Sequence, residues 1–286
     1  MKTSIIKSYA KINISLNVVG KLQSNLHKIE SIVTFINIYD LLSIKQTNLK
    51  KHKISFRGKF SKKIGKKNTV SKLLKELDRR NLLKNKKFNI VVSKNIPQKS
   101  GLGGGSMNAS SLLNFFLKKK IINLKEKTLR NIADSVGSDV MLGIKPKSIV
   151  LFSNKKLVQI KRKLNFHILI VKPNFGSSTQ EIYSRVKIFS KPQFNSLKKT
   201  ILNKKKLFIL KNDLENVVYK RYPVLFRIKL FLLKLPNIKF VRMSGSGSSM
   251  VAYFDSKKAA DIGAKISKKK FRRLDAFIEP PPKPDF

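Results

Sequence analysis

One segment constrains this chain more than any other: Gly101-Leu102-Gly103-Gly104-Gly105-Ser106. Upstream, the apolar run Phe88–Ser93 predicts a strand, and Pro97 breaks whatever follows it. Downstream, Ala109, Leu112, Leu113, Phe116 and Leu117 recur at i, i+3, i+4, i+7 and i+8, which predicts a helix burying one stripe. A loop of glycines between a strand and a helix lets backbone N–H groups approach an anion closely. The helix N-terminus adds its partial positive charge at the same place. Four glycines in five residues exceed what a tight turn needs, so the segment reads as a phosphate cradle. Ser106 offers a hydroxyl for a phosphate or for Mg²⁺.

The familiar phosphate-binding patterns do not fit. A dinucleotide-binding loop needs a glycine at the sixth position, which is Ser106 here. A P-loop would end in Gly-Lys-Ser/Thr, and no such tripeptide follows these glycines. No His-Arg-Asp signature of protein kinases occurs. A second glycine-rich stretch, Met243-Ser244-Gly245-Ser246-Gly247-Ser248-Ser249, joins two predicted strands. It reads either as a flexible hairpin or as a second clasp on a nucleotide.

Elsewhere the pattern mixes strands and helices without strict alternation, which predicts an α+β fold. Ile12, Ile14, Leu16 and Val18 alternate with Lys11, Asn13, Ser15 and Asn17, the pattern of a half-buried strand with a polar row. Further strands are expected at 32–38, 41–44, 53–56, 148–152, 166–171, 240–243, 250–254 and 276–278. Helices are expected around 129–136, where Gly137 stops the pattern, and at 193–202, 223–235 and 257–267. Residues 61–68 read as a mobile surface loop, and a domain boundary is expected near 153–165.

Composition narrows the class. With no cysteine, thiolate metal sites and disulfides are excluded. No apolar run is long enough for a membrane span, and a cytoplasmic protein is expected. The balance of 63 Lys+Arg against 15 Asp+Glu gives a formal charge of +48. Such a field attracts polyanions. Yet the lysines are spread along the chain and no nucleic-acid module is visible, so they read as solvated surface with no obligatory nucleic-acid partner.

Three stretches together resemble the GHMP small-molecule kinases: Ala10-Lys11-Ile12-Asn13-Ile14-Ser15-Leu16, the run Pro97–Ala109 around the triple glycine, and Ser244-Gly245-Ser246-Gly247. The triple glycine followed by Ser106-Met107-Asn108-Ala109 is most like the branch acting on 4-diphosphocytidyl-2-C-methyl-D-erythritol. The resemblance implies transfer of the ATP γ-phosphoryl group to a hydroxyl of that alcohol, a step of non-mevalonate isoprenoid synthesis, with Mg²⁺. It also implies a two-lobed fold: an N-terminal ATP-binding lobe, 1–158, like the second domain of ribosomal S5, and a ferredoxin-like substrate-binding lobe, 159–286. A monomer or weak homodimer without membrane association is expected.

Carried onto this sequence, the resemblance makes Asp139, in Gly137-Ser138-Asp139-Val140, the base that takes the hydroxyl proton. By its residues alone Asp139 reads equally well as a loop carboxylate. Lys11 becomes its cationic partner. Pro97, Gln98, Lys99, Ser100, Gly101, Leu102, Gly103, Gly104, Gly105, Ser106 and Met107 become the ATP loop, with Ser106 also toward Mg²⁺. Asn13, His27, Thr179, Tyr183, Gly245 and Ser246 become the substrate side, with His27 and Tyr183 on the cytosine. Two departures stand out. The family's Asp-Gly-Tyr-His turn reads Ser24-Asn25-Leu26-His27, replacing an aromatic wall by leucine. Val140 is followed by Met141 where the family has proline. Rival readings are a kinase for mevalonate, homoserine or a sugar, and a basic nucleic-acid-binding protein.

Overall fold

Eighteen residues of alternating but mostly buried character, Ser4–Lys21, form the first strand, β1, in the computed structural model of the chain. The structure describes residues 2–22, 26–161, 166–194, 204–271 and 275–279. β2 (His27–Thr47), β3 (Lys53–Arg57), α1 (Thr69–Arg79) and β4 (Lys87–Ser93) follow, then α2 (Gly104–Lys118) and α3 (Glu126–Val136). After a short 3-10 turn at Met141–Gly143 come β5 (Ile149–Leu151), β6 (Leu157–Gln159) and β7 (His167–Lys172). The remainder is α4 (Thr179–Ser184), α5 (Lys204–Ile209), α6 (Leu214–Arg221), α7 (Pro223–Leu232), β8 (Ile238–Met243), β9 (Met250–Phe254), α8 (Lys257–Lys270) and β10 (Asp275–Glu279). The fold is α+β, as the mixed pattern predicts.

Cα packing divides the chain into two compact units. One comprises Met1–Lys11, Ile38–Gln98 and Gly103–Pro146; the other comprises Ile12–Asn37, Lys99–Leu102 and Lys147–Phe286. β1 and β2 each supply residues to both.

In the first unit β2 pairs antiparallel with β4, Leu41 opposite Ser93 through Thr47 opposite Lys87. β3 lies parallel to β4, and α1 is the crossover between them. The core joins Leu42, Ile90 and Val92 to Leu112, Leu113 and Phe116 of α2 and Ile132 and Val136 of α3. Sequence reading does not foresee α1, although Val70, Leu73, Leu74 and Leu77 are spaced for one buried stripe. Its start is fixed by a reciprocal cap: Asn68 Oδ1 accepts from Ser71 N (3.0 Å) while Ser71 Oγ accepts from Asn68 N (2.9 Å). Burying each such leucine contributes roughly 1.5–3 kcal/mol, well above the weak intrinsic preference of Asn68-Thr69-Val70 for helix.

In the second unit a four-stranded antiparallel sheet runs β10-β7-β9-β8. Counted along this sheet alone the order is the 4-1-3-2 of a ferredoxin-like domain, with α8 connecting β9 to β10. Leu169, Val171, Ala252 and Phe254 pack on Leu225, Ile228 and Leu232 of α7 and Ala260 and Ala264 of α8. β2 also pairs here with β5, Ser31 opposite Leu151, and β5 with β6.

Several expectations change. The segments 32–38 and 41–44 are one strand within β2, which pairs with β5 at Ser31–Val33 and with β4 at Leu41–Thr47. The strand at Lys11 is not half-buried: Lys11, Asn13, Ser15 and Asn17 are as buried as the apolar row. At Asn13 and Ser15 the polar groups are answered through Ser31 and the β2 backbone, whereas Asn17 Nδ2 is buried without a partner among the described residues. Asn13 Nδ2 donates to Ser31 Oγ (2.8 Å), Ser31 Oγ donates to Ser15 O (2.5 Å), and Ile32 N donates to Ser15 Oγ (3.2 Å). The helix expected at 193–202 lies largely outside the described residues, as does the tail 280–286. Among the described residues no helix is long and apolar enough to cross a membrane.

Candidate active site

Helix α2 starts on a left-handed glycine. Gly103, its N-cap, has φ 71°, and no side chain caps the helix. The first helical bond is Met107 N to Gly103 O (2.9 Å), so the N–H groups of Gly104, Gly105 and Ser106 head the helix in the way an anion site requires. The first turn carries no acidic residue that would repel an anion.

Packing, as well as ligand approach, demands the glycines. A Cβ at Gly103 would lie 2.9 Å from Lys11 Cγ, so glycine here lets the Lys11 stem pass beneath the helix start. A Cβ at Gly104 would meet Ile96 Cγ2 at 2.9 Å and Lys94 Nζ at 3.3 Å. At Gly101, with φ 77°, it would fall 2.0 Å from Ser244 O. Gly105 is exposed, and its carbonyl accepts from Thr69 Oγ1 (2.6 Å) on the first residue of α1.

Lys11, nearly inaccessible at 5% side-chain exposure, pairs with Asp139 through Nζ and Oδ2 at 3.2 Å. Asp139 keeps 29% exposure, so its carboxylate remains reachable while its cationic partner is fixed from behind. The Asp139 loop follows α3, which ends at Gly137, and Ser106 Oγ lies 3.5 Å from the position of a Cβ at Gly137. A carboxylate, a buried ammonium and an uncapped helix N-terminus can align and neutralise a phosphoryl group while accepting a proton from an attacking hydroxyl.

A second ion pair supports the loop from behind. Asp40 is fully buried; its Oδ1 accepts from Asn95 N (2.7 Å) and Ile96 N (2.9 Å), and its Oδ2 binds Lys94 Nζ. Burial pulls the Lys94 ammonium below its ordinary value, opposed by the Asp40 carboxylate. This pair fixes the Ile96 side chain against which Gly104 packs. Sequence reading misses it, although a carboxylate inside the apolar run Ile36–Leu42 is a visible signal.

The expected ATP-loop residues divide by exposure. Pro97, Ser100, Leu102 and Met107 are buried and shape the loop, whereas Gln98, Lys99 and Gly105 are exposed. Gln98 Nε2 donates to Phe60 O (2.8 Å) and Lys62 O (2.7 Å), tying down the surface segment that precedes α1.

The expected substrate residues belong to the second unit. Asn13 N donates to Ser244 Oγ (3.2 Å), and Ser244 Oγ donates to Gly101 O (2.9 Å). Ser246 is nearly buried: its carbonyl accepts from Ser177 Oγ (2.5 Å) and its hydroxyl meets Thr179 Oγ1 at 2.9 Å. Gly245 O accepts from Asn212 Nδ2 (2.8 Å), a residue the motifs do not point to. His27 and Tyr183 are neighbours, ring centroids 5.1 Å apart. Burial, and then the nearby Lys21 charge, lowers the His27 pKa below its ordinary 6.5, so the imidazole is neutral at pH 7. Its Nε2 is shielded from solvent without a hydrogen-bond partner. Phe189 completes this cluster at 6.3 Å from His27, and no sequence pattern marks it.

Similarity to known proteins fits this geometry. The family profile described as GHMP kinases N terminal domain matches residues 68–145, from the α1 cap to the turn after Asp139. The 4-diphosphocytidyl-2-C-methyl-D-erythritol kinase of Pelagibacter ubique (strain HTCC1062) is 56% identical over 271 residues, 95% of this chain and 96% of that protein. The chain belongs to the GHMP kinase family. A Clostridium beijerinckii protein of the same name is 32% identical, covering 96% of this chain and 98% of its own. Among solved structures, a 4-(cytidine 5'-diphospho)-2C-methyl-D-erythritol kinase superposes with a TM-score of 0.76 at 20% identity, over 98% of this chain and 100% of that one. Homoserine kinase from Cytophaga hutchinsonii gives 0.71 at 16% identity, over 98% and 95%. At such identities these structures speak for the GHMP fold, the two-lobed architecture that the motifs imply. As a GHMP kinase the protein is a small-molecule kinase that uses ATP.

Proposed function

We propose that this kinase phosphorylates a hydroxyl of 4-diphosphocytidyl-2-C-methyl-D-erythritol, a step of non-mevalonate isoprenoid synthesis in the cytoplasm. The observation that carries the chemistry is the 3.2 Å pair of Lys11 and Asp139, formed by the strand and loop whose motifs imply those roles. The relatives at 56% and 32% identity, both named for this substrate, support the acceptor.

Asp139 takes the proton of the attacking hydroxyl as the new O–P bond forms and the bond from the γ-phosphorus to the departing ADP oxygen breaks. Lys11 stabilises the carboxylate and the charge developing on the transferred group. The N–H groups heading α2 and the loop 97–107 hold the phosphates, and the exposed Lys99 adds charge beside them. Among the described residues no cluster of three His, Asp or Glu side chains could hold a metal by itself. Mg²⁺ commonly takes one or two protein ligands and completes its shell with phosphate and water. Ser106 would hold it, and Mg²⁺ would neutralise phosphate charge. His27 and Tyr183 recognise the cytosine; Thr179 and Ser246, with Asn13 and Gly245, shape the rest of the acceptor side. In this reading 1–158 carries the ATP and catalytic groups, while 159–286 supplies most of the acceptor side.

The test is a coupled assay of ADP release with three acceptors: the cytidyl alcohol, mevalonate and homoserine. Turnover with the cytidyl alcohol at least a hundredfold above the others is the expected result. Preference for mevalonate or homoserine would overturn the assignment.

A further inference from the structure

Position 26 carries leucine where the resemblance expects an aromatic, and Leu26 is 55% exposed. A cytosine resting on Tyr183 alone would have one ring face uncovered. The segment 188–194 brings another ring to the same place. Phe189 keeps 41% exposure, although a phenylalanine in a well-packed domain usually finds cover, and its ring lies 6.3 Å from His27 at 51°. Tyr183 lies on the same imidazole at 5.1 Å and 41°.

The placement is held rigidly. Ser190 N donates to Val18 O (2.8 Å), and Gln193 N and Phe194 N both donate to Glu30 Oε2 (2.7 and 3.1 Å). Glu30 is fully buried, so this anchor is shielded from water. Two rings beside a neutral imidazole make a platform on which a planar heterocycle can stack.

We propose that Phe189 is a specificity-determining residue that supplies the aromatic wall absent at position 26. This rests on the cytidyl acceptor proposed above. Stacking of this kind is worth about 1–3 kcal/mol per base, roughly 5- to 150-fold in affinity.

Phe189→Ala, Phe189→Leu and Phe189→Tyr should be compared in steady-state kinetics and in equilibrium binding of cytidine 5'-monophosphate. Alanine and leucine should raise KM for the cytidyl alcohol and weaken nucleotide binding by tenfold or more, with kcat and the KM for ATP within twofold of wild type. Tyrosine should stay within threefold. Should the alanine variant fail to fold, the leucine variant keeps the apolar bulk and decides alone. Leucine matching phenylalanine in both readouts would overturn the proposal. If wild type binds the nucleotide through Phe189 yet does not phosphorylate the alcohol, the acceptor assignment falls and the aromatic wall stands. If the enzyme phosphorylates the alcohol but is indifferent to Phe189, the aromatic wall falls and the acceptor assignment stands.

Discussion

The two glycine-rich stretches look alike in sequence and differ in what their backbones do. In 244–249 several polar groups are buried and answered within the protein: Asn212 Nδ2 bridges Met243 O and Gly245 O, Ser177 and Thr179 hold Ser246, and Ser248 Oγ donates to Phe175 O (2.7 Å), whereas Ser249 Oγ is buried without a partner among the described residues. In 101–106 the helix that begins there has no side-chain cap, and Gly105 is open to solvent. The first stretch is a bonded hairpin between β8 and β9; the second leaves the first N–H groups of α2 without a side-chain cap. Composition cannot separate them, because glycine serves close packing and anion approach equally well. The hydrogen-bond partners can.

The sharpest way to break this contrast is at Gly101. Alanine there incurs the left-handed cost of about 1–2 kcal/mol and drives Cβ to 2.0 Å from Ser244 O, a backbone atom that cannot swing aside. A loss of roughly 10 °C in thermal midpoint, about 3 kcal/mol for a domain of this size, is expected by calorimetry. Gly247→Ala has a similar backbone angle, φ 83°, but meets the flexible thioether of Met243 at 2.8 Å. It should lower the midpoint by less than half as much. Equal losses would show that backbone angle alone decides.

Asn212→Ala probes the bonded hairpin next. Two buried carbonyls lose their donor, so a cost of about 1–3 kcal/mol is expected in chemical denaturation. The KM for ATP should stay within twofold, because 244–249 is internally bonded; a tenfold rise would place that stretch on the nucleotide instead.

The smallest effect concerns His27. Its pKa is lowered in the folded protein, so the neutral form persists above the ordinary 6.5 and protonation occurs only below it. The KM for the cytidyl alcohol should be flat from pH 7 to 8 and rise a few-fold as pH falls below that ordinary value. The KM for ATP should not follow. In His27→Asn the acid-side rise should vanish; its persistence would assign it to another group.

Much of this was legible in the residues. The strand–loop–helix around Gly101–Ser106, β9 at 250–254 and the end of α3 at Gly137 follow from local pattern, since the same side chains that set the period also bury it. The proximity of Lys11 and Asp139 followed from the family motifs and not from spacing. What escaped depends on distant partners. The burial of the Asn13–Asn17 row requires Ser31 opposite it. The place of Phe189 requires a carboxylate 163 residues from the backbone it holds. Helix α1 escaped for a different reason: its four buried residues follow a lysine-rich loop whose polarity masks the change of period.

The proposed chemistry turns on Asp139 accepting the proton as the phosphoryl group moves, with Lys11 holding the charge. Single-turnover transfer from γ-labelled ATP to the cytidyl alcohol, wild type against Asp139→Asn, tests it directly. The amide keeps size and can still meet Lys11 through its oxygen, so ATP binding and thermal midpoint should be little changed while transfer slows about 10²- to 10⁴-fold. Transfer within fivefold of wild type would contradict that role for Asp139.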